Sequence, residues 1–361
     1  MNNLFENGKN IDTEIRRPDR PLGELSDFVV TRMPGMLQDI RMGTSNVATL
    51  IDSAEEMVKE IKESRRVGLI DPDDLDLAGL DVKMVEAVIV SSGGSSGPQL
   101  TEMVNNFSHA TDMLPGLTYE DLIFINPLET DPRTFTGGLV GRSERDFYLG
   151  HRILEGSLDT TIQHCIGAIR VLMQDGESGV AEATIFLKNA VQTFSPVISY
   201  TGRIGMRMPR DHFEVFRKYL NGNPERGIMG PSGKYTSGIP TLDFLLGGEV
   251  IEQSYPKLTE ELAYYPRGGR RAIECARGIA HRGESLAVLA RRLDDTVVLL
   301  RHVGKICEAI RKFRLVHLIY VHHLIPQALD GTTGGTGGES NVKAFLSQRE
   351  AIDHIGKGDK I

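Results

Sequence analysis

Two histidines stand where a helical repeat calls for apolar side chains. Positions 306, 310, 313, 317, 321 and 324 share one helix face and read Ile306, Ile310, Phe313, His317, Val321 and Leu324. A second stripe reads Phe147, His151, Leu154, Leu158 and Ile162. An unpaired imidazole on an oily face costs on the order of 1–3 kcal/mol, so each ring needs a partner. A lone example is accounted for by a core histidine bonded to a buried carbonyl. A pair admits another chemistry, because a flat macrocycle such as haem needs an apolar slot with a single nitrogen projecting into it. Two helices with one imidazole each can clasp such a group, one face ligated and the other left for a gas or a substrate. Arg314 lies three residues before His317, one turn away, where it either pairs with a propionate at the haem edge or stands as an exposed charge.

Other candidate groups are weaker. Arg217 sits among Phe213, Phe216 and Leu220, either as a snorkelling side chain at a domain seam or as a carboxylate clamp. His322 and His323 are helix neighbours that point about 100° apart with no carboxylate to complete a facial triad; they read as solvated or capping residues. His164 and Cys165 diverge in the same way and lack an orienting third group, which argues against a cysteine hydrolase. Gly233-Lys234 is followed by Tyr235 rather than Ser or Thr, and Ile228 stands where a P-loop needs its first glycine. Gly335-Thr336-Gly337-Gly338 misses the last glycine of a dinucleotide fingerprint. Taken alone it is a glycine-rich surface turn.

The elements that must position these residues are mostly helices. Ser45 to Arg66 repeats apolar residues at helical spacing, and Asp71-Pro72 stops it. Ser91 to Pro98 is a loop, and a second irregular stretch runs from Asn126 to Gly141. Helices follow from about residue 144, with one pattern over Asp211 to Leu220 and another over Ser285 to Leu329. Gly/Pro-rich loops are expected at 202 to 210, 221 to 240, 266 to 269 and 331 to 338. The expected plan is mainly α: an arm over 1–24, a small N-terminal, mainly helical domain over 25–143, and a large helical domain over 144–361. A chain of 361 residues buries enough surface to fold without disulfides. Its net charge of -8 removes the drive toward nucleic acid. Three isolated cysteines suit a reducing cytoplasm, and neither a signal peptide nor an apolar membrane span is evident.

The order of motifs resembles the indoleamine and tryptophan 2,3-dioxygenase superfamily over about residues 117 to 350. The matching residues begin with Leu117-Thr118-Tyr119-Glu120, Phe147-Tyr148-Leu149 and Phe213-x-Val215-x-Arg217-x-Tyr219-Leu220. Gly230-Pro231-Ser232-Gly233, Leu242-Asp243-Phe244-Leu245-Leu246-Gly247, Arg314-x-x-His317-Leu318 and Gly335-Thr336-Gly337-Gly338 complete them. The resemblance implies an indoleamine-dioxygenase-like fold with a large helical haem-binding domain and haem b (iron protoporphyrin IX) as cofactor. It implies His317 as the proximal iron ligand, Arg314 as propionate partner and Asp243 as a buried carboxylate on the proximal side. Phe147 and Phe213 would wall the distal pocket and Arg217 would take the substrate carboxylate. Ser232, Gly233 and the Thr336 loop would close over the amino acid and haem edge.

Three departures colour that picture. His151 stands where the indoleamine enzymes carry serine and is similar to the distal histidine of tryptophan 2,3-dioxygenases and of haem tyrosine hydroxylases. His212 and Tyr148 replace pocket phenylalanines. Ala110-Thr111-Asp112, Ile125-Asn126-Pro127 and Phe135-Thr136-Gly137 look more like the pyrrolnitrin-pathway haem enzyme. The implied activity is oxygen insertion from dioxygen into tryptophan or a related indole or aromatic amino acid at the C2=C3 bond, with an N-formylkynurenine-type product. The alternatives are a monooxygenase or ring-rearranging enzyme of secondary metabolism and a non-catalytic haem or gas sensor. A monomer or homodimer without nucleic-acid or membrane partners is expected.

Overall fold

Helical periodicity governs the backbone. The computed structural model describes residues 19–64, 68, 70–293 and 296–326, and among these there is no β-strand, only an isolated bridge between Asn223 and Ile228. In chain order the helices are α1 (Glu24–Asp27), α2 (Met33–Met42), α3 (Val47–Glu63), α4 (Leu75–Ser91), α5 (Pro98–Thr111), α6 (Gly138–Asp175) and α7 (Val180–Arg207). They continue with α8 (Arg210–Arg217), α9 (Gly238–Gly247), α10 (Leu258–Glu261), α11 (Arg267–His281), α12 (Leu286–Arg292) and α13 (Thr296–Leu324). None is long and apolar enough to cross a membrane.

The described residues form two units. Those of Met1–Tyr148 pack with Asp211–Ser232, and those of Leu149–Arg210 pack with Gly233–Ile361. The boundary falls inside α6, and the segment with Phe213, Arg217 and Ser232 returns to the first unit, whereas the sequence reading assigned it to the large domain.

In the first unit α4 is the central element. Leu80, Val82, Val85, Val88 and Ile89 are fully buried, and so is Asp81; Lys83 and Glu86 are nearly so. Buried charges need partners, and each of these reaches a different segment. Asp81 takes the Arg133 guanidinium at 3.0 Å and the Ser26 hydroxyl at 2.6 Å. Lys83 meets Asp121 at 3.2 Å, and Glu86 meets Arg226 at 2.7 Å. The irregular 121–133 stretch and the returning 211–232 segment are thus tied to one helix by ion pairs. The expected amphipathic helix after Ser45 is present as α3, with Asn46 capping the Thr49 N–H at 3.0 Å and Leu50, Ala54, Met57, Val58 and Ile61 buried.

In the second unit α7 packs along α13, and α9 packs against α11 with all ten of its residues buried. Three sequence expectations need correcting here. The Gly/Pro-rich run at 202 to 210 is not a loop, because α7 continues to Arg207. A Cβ on Gly205 would lie 2.4 Å from the Tyr320 ring, so this glycine lets α13 approach, whereas one on Gly202 would make ordinary contact with Val316 at 3.6 Å. Gly268 and Gly269 likewise lie inside α11, where a Cβ on Gly269 would meet Ser237 at 2.4 Å. The single helix expected over Ser285 to Leu329 is α12 followed by α13, which ends at Leu324. The glycine-rich 331–338 segment, with Thr336, lies outside the described residues.

Candidate functional site

The second unit contains a cavity, partly open to solvent, walled by three helices and a turn. His151 and Leu154 come from α6, Thr201 and Ile204 from α7, Gly233 and Thr236 from the turn before α9, and Phe313, His317 and Tyr320 from α13. Both stripes found in the sequence therefore reach one cavity. The periodicity explains why: Ile306, Ile310, Phe313, Val321 and Leu324 are buried on α13, and Leu154, Leu158 and Ile162 on α6. Each buried face carries its histidine along.

His317 is half-buried between two aromatic rings of its own helix. Phe313, four residues before it, lies 5.8 Å away at 21°, and Tyr320, three residues after it, lies 5.9 Å away at 25°. Phe313 is itself held edge-on by Phe194 of α7 at 6.3 Å. On the α6 side the ring of His151 is met by backbone, since a Cβ on Gly233 would stand 3.7 Å from its Nε2. That turn is fixed outside the cavity: Lys234 pairs with Glu261 at 2.7 Å, and Tyr235 stacks on Tyr264 at 5.1 Å.

Asp243 lies on the buried α9 and is 1% exposed. Its Oδ2 accepts from the Tyr255 hydroxyl and from Arg314 at 2.7 Å, while Oδ1 has no partner among the described residues. Arg314, which the resemblance directs to a propionate, is thus joined to a protein carboxylate one turn before His317. His322 and His323 are exposed at the end of α13. Cys165 is buried, which pushes its thiol up to about 12 and leaves no thiolate for nucleophilic chemistry.

The remaining sequence candidates belong to the first unit. Phe147 and Phe213 meet at 5.6 Å, and Phe216 completes the cluster at 5.6 and 5.3 Å. Arg217 is half-buried; burial lowers its pKa from the usual arginine value, and the Glu214 carboxylate opposes that shift. Ser232 is half-buried. His212 shares a 2.8 Å hydrogen bond with Ser143. The Tyr148 hydroxyl donates to Glu144 at 3.0 Å. Glu144 is fully buried and accepts from the Phe135 and Thr136 N–H groups at 2.8 and 3.0 Å, and burial raises its carboxyl to about 7.

The structure thus brings His151, Gly233 and His317 together around one cavity, joins Asp243 to Arg314, and places Phe147 against Phe213. Sequence reasoning missed Thr201, Ile204, Thr236, Tyr255 and Tyr320. For Tyr320 a signal existed, because 313, 317 and 320 share a face as well as 313, 317 and 321 do. Among the described residues no three His, Cys, Asp or Glu side chains gather as a chelate for a metal ion. The donors that the cavity does offer to a metal are the single imidazoles of His151 and His317. Compared with models of known protein families and with curated proteins, the chain matches none.

Proposed function

We propose that the chain is a haem-dependent oxygenase that acts on tryptophan or a related indole or aromatic amino acid, delivering dioxygen-derived oxygen to the C2=C3 bond. The observation that carries this reading is the pair of imidazoles, His151 and His317, in the walls of one cavity shared with Leu154, Ile204 and Phe313. An apolar slot with isolated nitrogen donors is the donor set that a haem uses and a chelated ion does not. A buried Tyr320 hydroxyl without a partner among the described residues suits an occupant that brings an acceptor.

When bound, haem b supplies the binding and activation of dioxygen, chemistry that no side chain provides. The chain's residues hold, orient and shield. His317 is the residue to hold the iron, with its ring plane set by Phe313 and Tyr320. His151 would be the proton-handling group, since an imidazole can accept a hydrogen bond from an indole N–H and pass a proton. Leu154, Ile204 and Phe313 keep water from the reacting centre. Arg217, four residues after Phe213 on α8, would be the bidentate clamp for an amino-acid carboxylate that the resemblance implies. Ser232 and Gly233 lead into the turn whose backbone meets His151, and Thr336 joins them by resemblance.

The test is to mix purified protein with haem, a reductant and ¹⁸O-labelled dioxygen, offering tryptophan, halogenated tryptophans, indole and tyrosine in turn. Mass spectrometry of the product should show one or two labelled oxygen atoms on the ring, the count separating monooxygenation from dioxygenation. Absence of any oxidised aromatic product across the panel removes the proposal.

A further inference from the structure

One hydroxyl in the wall of the His151–His317 cavity meets nothing. Tyr320 is 9% exposed, and its phenol oxygen is buried without a hydrogen-bond partner among the described residues. Thr201, in the same wall, is already engaged, donating to the Val197 carbonyl at 2.8 Å. A phenol hydroxyl at neutral pH is a hydrogen-bond donor, and this one points to no acceptor among the described residues.

The position of that ring is built. A Cβ on Gly205 would lie 2.4 Å from Tyr320 Cδ2 and 2.9 Å from its Cβ. Glycine in a helix interior gives up helical propensity, and here the vacated space on α7 receives the ring. On its other side the phenol stacks with His317.

This inference rests on the haem reading with His317 as the iron ligand. Tyr320 follows His317 by three residues on one helix and lines the same cavity, so a haem held by His317 would lie beside it. The strong acceptors that a haem offers there are its propionate carboxylates. Arg314, one turn in the opposite direction, already holds Asp243 at 2.7 Å. We infer that Tyr320 donates a hydrogen bond from its hydroxyl to a haem propionate.

Haem-free protein titrated with haemin and with haemin dimethyl ester, followed by absorbance, tests this in wild type, Tyr320→Phe and Gly205→Ala. Tyr320→Phe should bind haemin roughly three- to tenfold more weakly than wild type, the worth of one hydrogen bond. The ester, which has lost the anionic acceptor, should not distinguish the two. Gly205→Ala displaces the ring and should weaken haemin binding in the same direction. Urea unfolding of the haem-free variant should give a midpoint equal to or above wild type, since removing a hydroxyl that bonds to nothing loses no bond. Equal haemin affinity in Tyr320→Phe, or an equal preference of both proteins for haemin over its ester, overturns the inference and leaves the haem reading standing. A markedly lower unfolding midpoint would assign the hydroxyl to the fold instead. Failure of wild type to bind haemin would end both the haem reading and this inference.

Discussion

Cutting the Asp243–Arg314 pair should cost more than deleting it. The guanidinium and carboxylate meet at 2.7 Å with side chains 11% and 1% exposed, so neither charge is hydrated as it would be at the surface. Removing one partner of such a pair strands the other in a poorly solvated site, at a cost of about 3–5 kcal/mol. Asp243→Leu belongs near the lower end, because Arg314 has a further interaction. Arg314→Met belongs near the upper end, because Asp243 keeps the Tyr255 hydroxyl alone on an almost fully buried carboxylate. In the double variant both charges give way to apolar side chains, and its stability should lie within about 2 kcal/mol of wild type. Equilibrium urea denaturation of the three variants closes the cycle, with a coupling of several kcal/mol as the expected result. Two single variants whose costs simply add in the double, within about 0.5 kcal/mol, would show that burial at this pair has been misjudged. Haemin affinity in the double variant then separates two roles of Arg314. If it falls for haemin but not for haemin dimethyl ester, Arg314 also reaches a propionate; if it holds, the arginine serves α9 and α13 only.

Three further outcomes are expected. His317→Ala should purify without a Soret band while His151→Ala remains red but turns over poorly; a fully pigmented His317→Ala with an unchanged spectrum would refute the assignment of the ligand. Glu144 titrates at about 7 in the fold against an ordinary 4.5, so the folded state binds its proton more tightly than the unfolded one. Its contribution, about 3 kcal/mol on the order-of-magnitude scale of such shifts, is complete below pH 4.5 and lost as pH rises through 7. Glu144→Gln should flatten that slope in urea midpoints measured from pH 5 to 8, and an unaltered slope would assign it to other groups. Lys83→Met strands Asp121, which is fully buried, and should cost about 3–5 kcal/mol. A midpoint shift equivalent to less than 1 kcal/mol would contradict the pairing.

What was legible in the sequence is what a period of 3.6 residues encodes. His151 and His317 could be placed on buried faces because the residues around them repeat at helical spacing. The ends and interruptions of helices were less legible, since glycine marks both turns and close packing. Gly202, Gly205, Gly268 and Gly269 read as loops, yet each lies in a helix, and Gly205 and Gly269 face side chains of another element at distances no Cβ could keep. Long-range polar partners leave no local mark. Asp243 and Arg314 are 71 residues apart, and nothing near either names the other. In α4 the letters Asp81, Lys83 and Glu86 suggest a solvated face, but their partners at 133, 121 and 226 make it the best-buried helix of the first unit.

The face of α13 shows how the fold positions a donor before anything binds it. Phe313, His317 and Tyr320 line the cavity as consecutive steps of four and three residues, and their rings stack in a row. A histidine so flanked has its ring plane set by packing, so binding need not immobilise it. Arg314 lies within this run and is fastened to Asp243 of α9, fixing the rotation and height of α13 at the turn before His317. Gly205 on α7 lets the same helix settle close to its neighbour at Tyr320. The orientation of one imidazole therefore depends on an ion pair, two aromatic contacts and one missing side chain on a neighbouring helix. Most of these are contributed by residues that a search for catalytic groups would pass over, so under the proposed haem chemistry the supporting positions would matter as much as the histidine they hold.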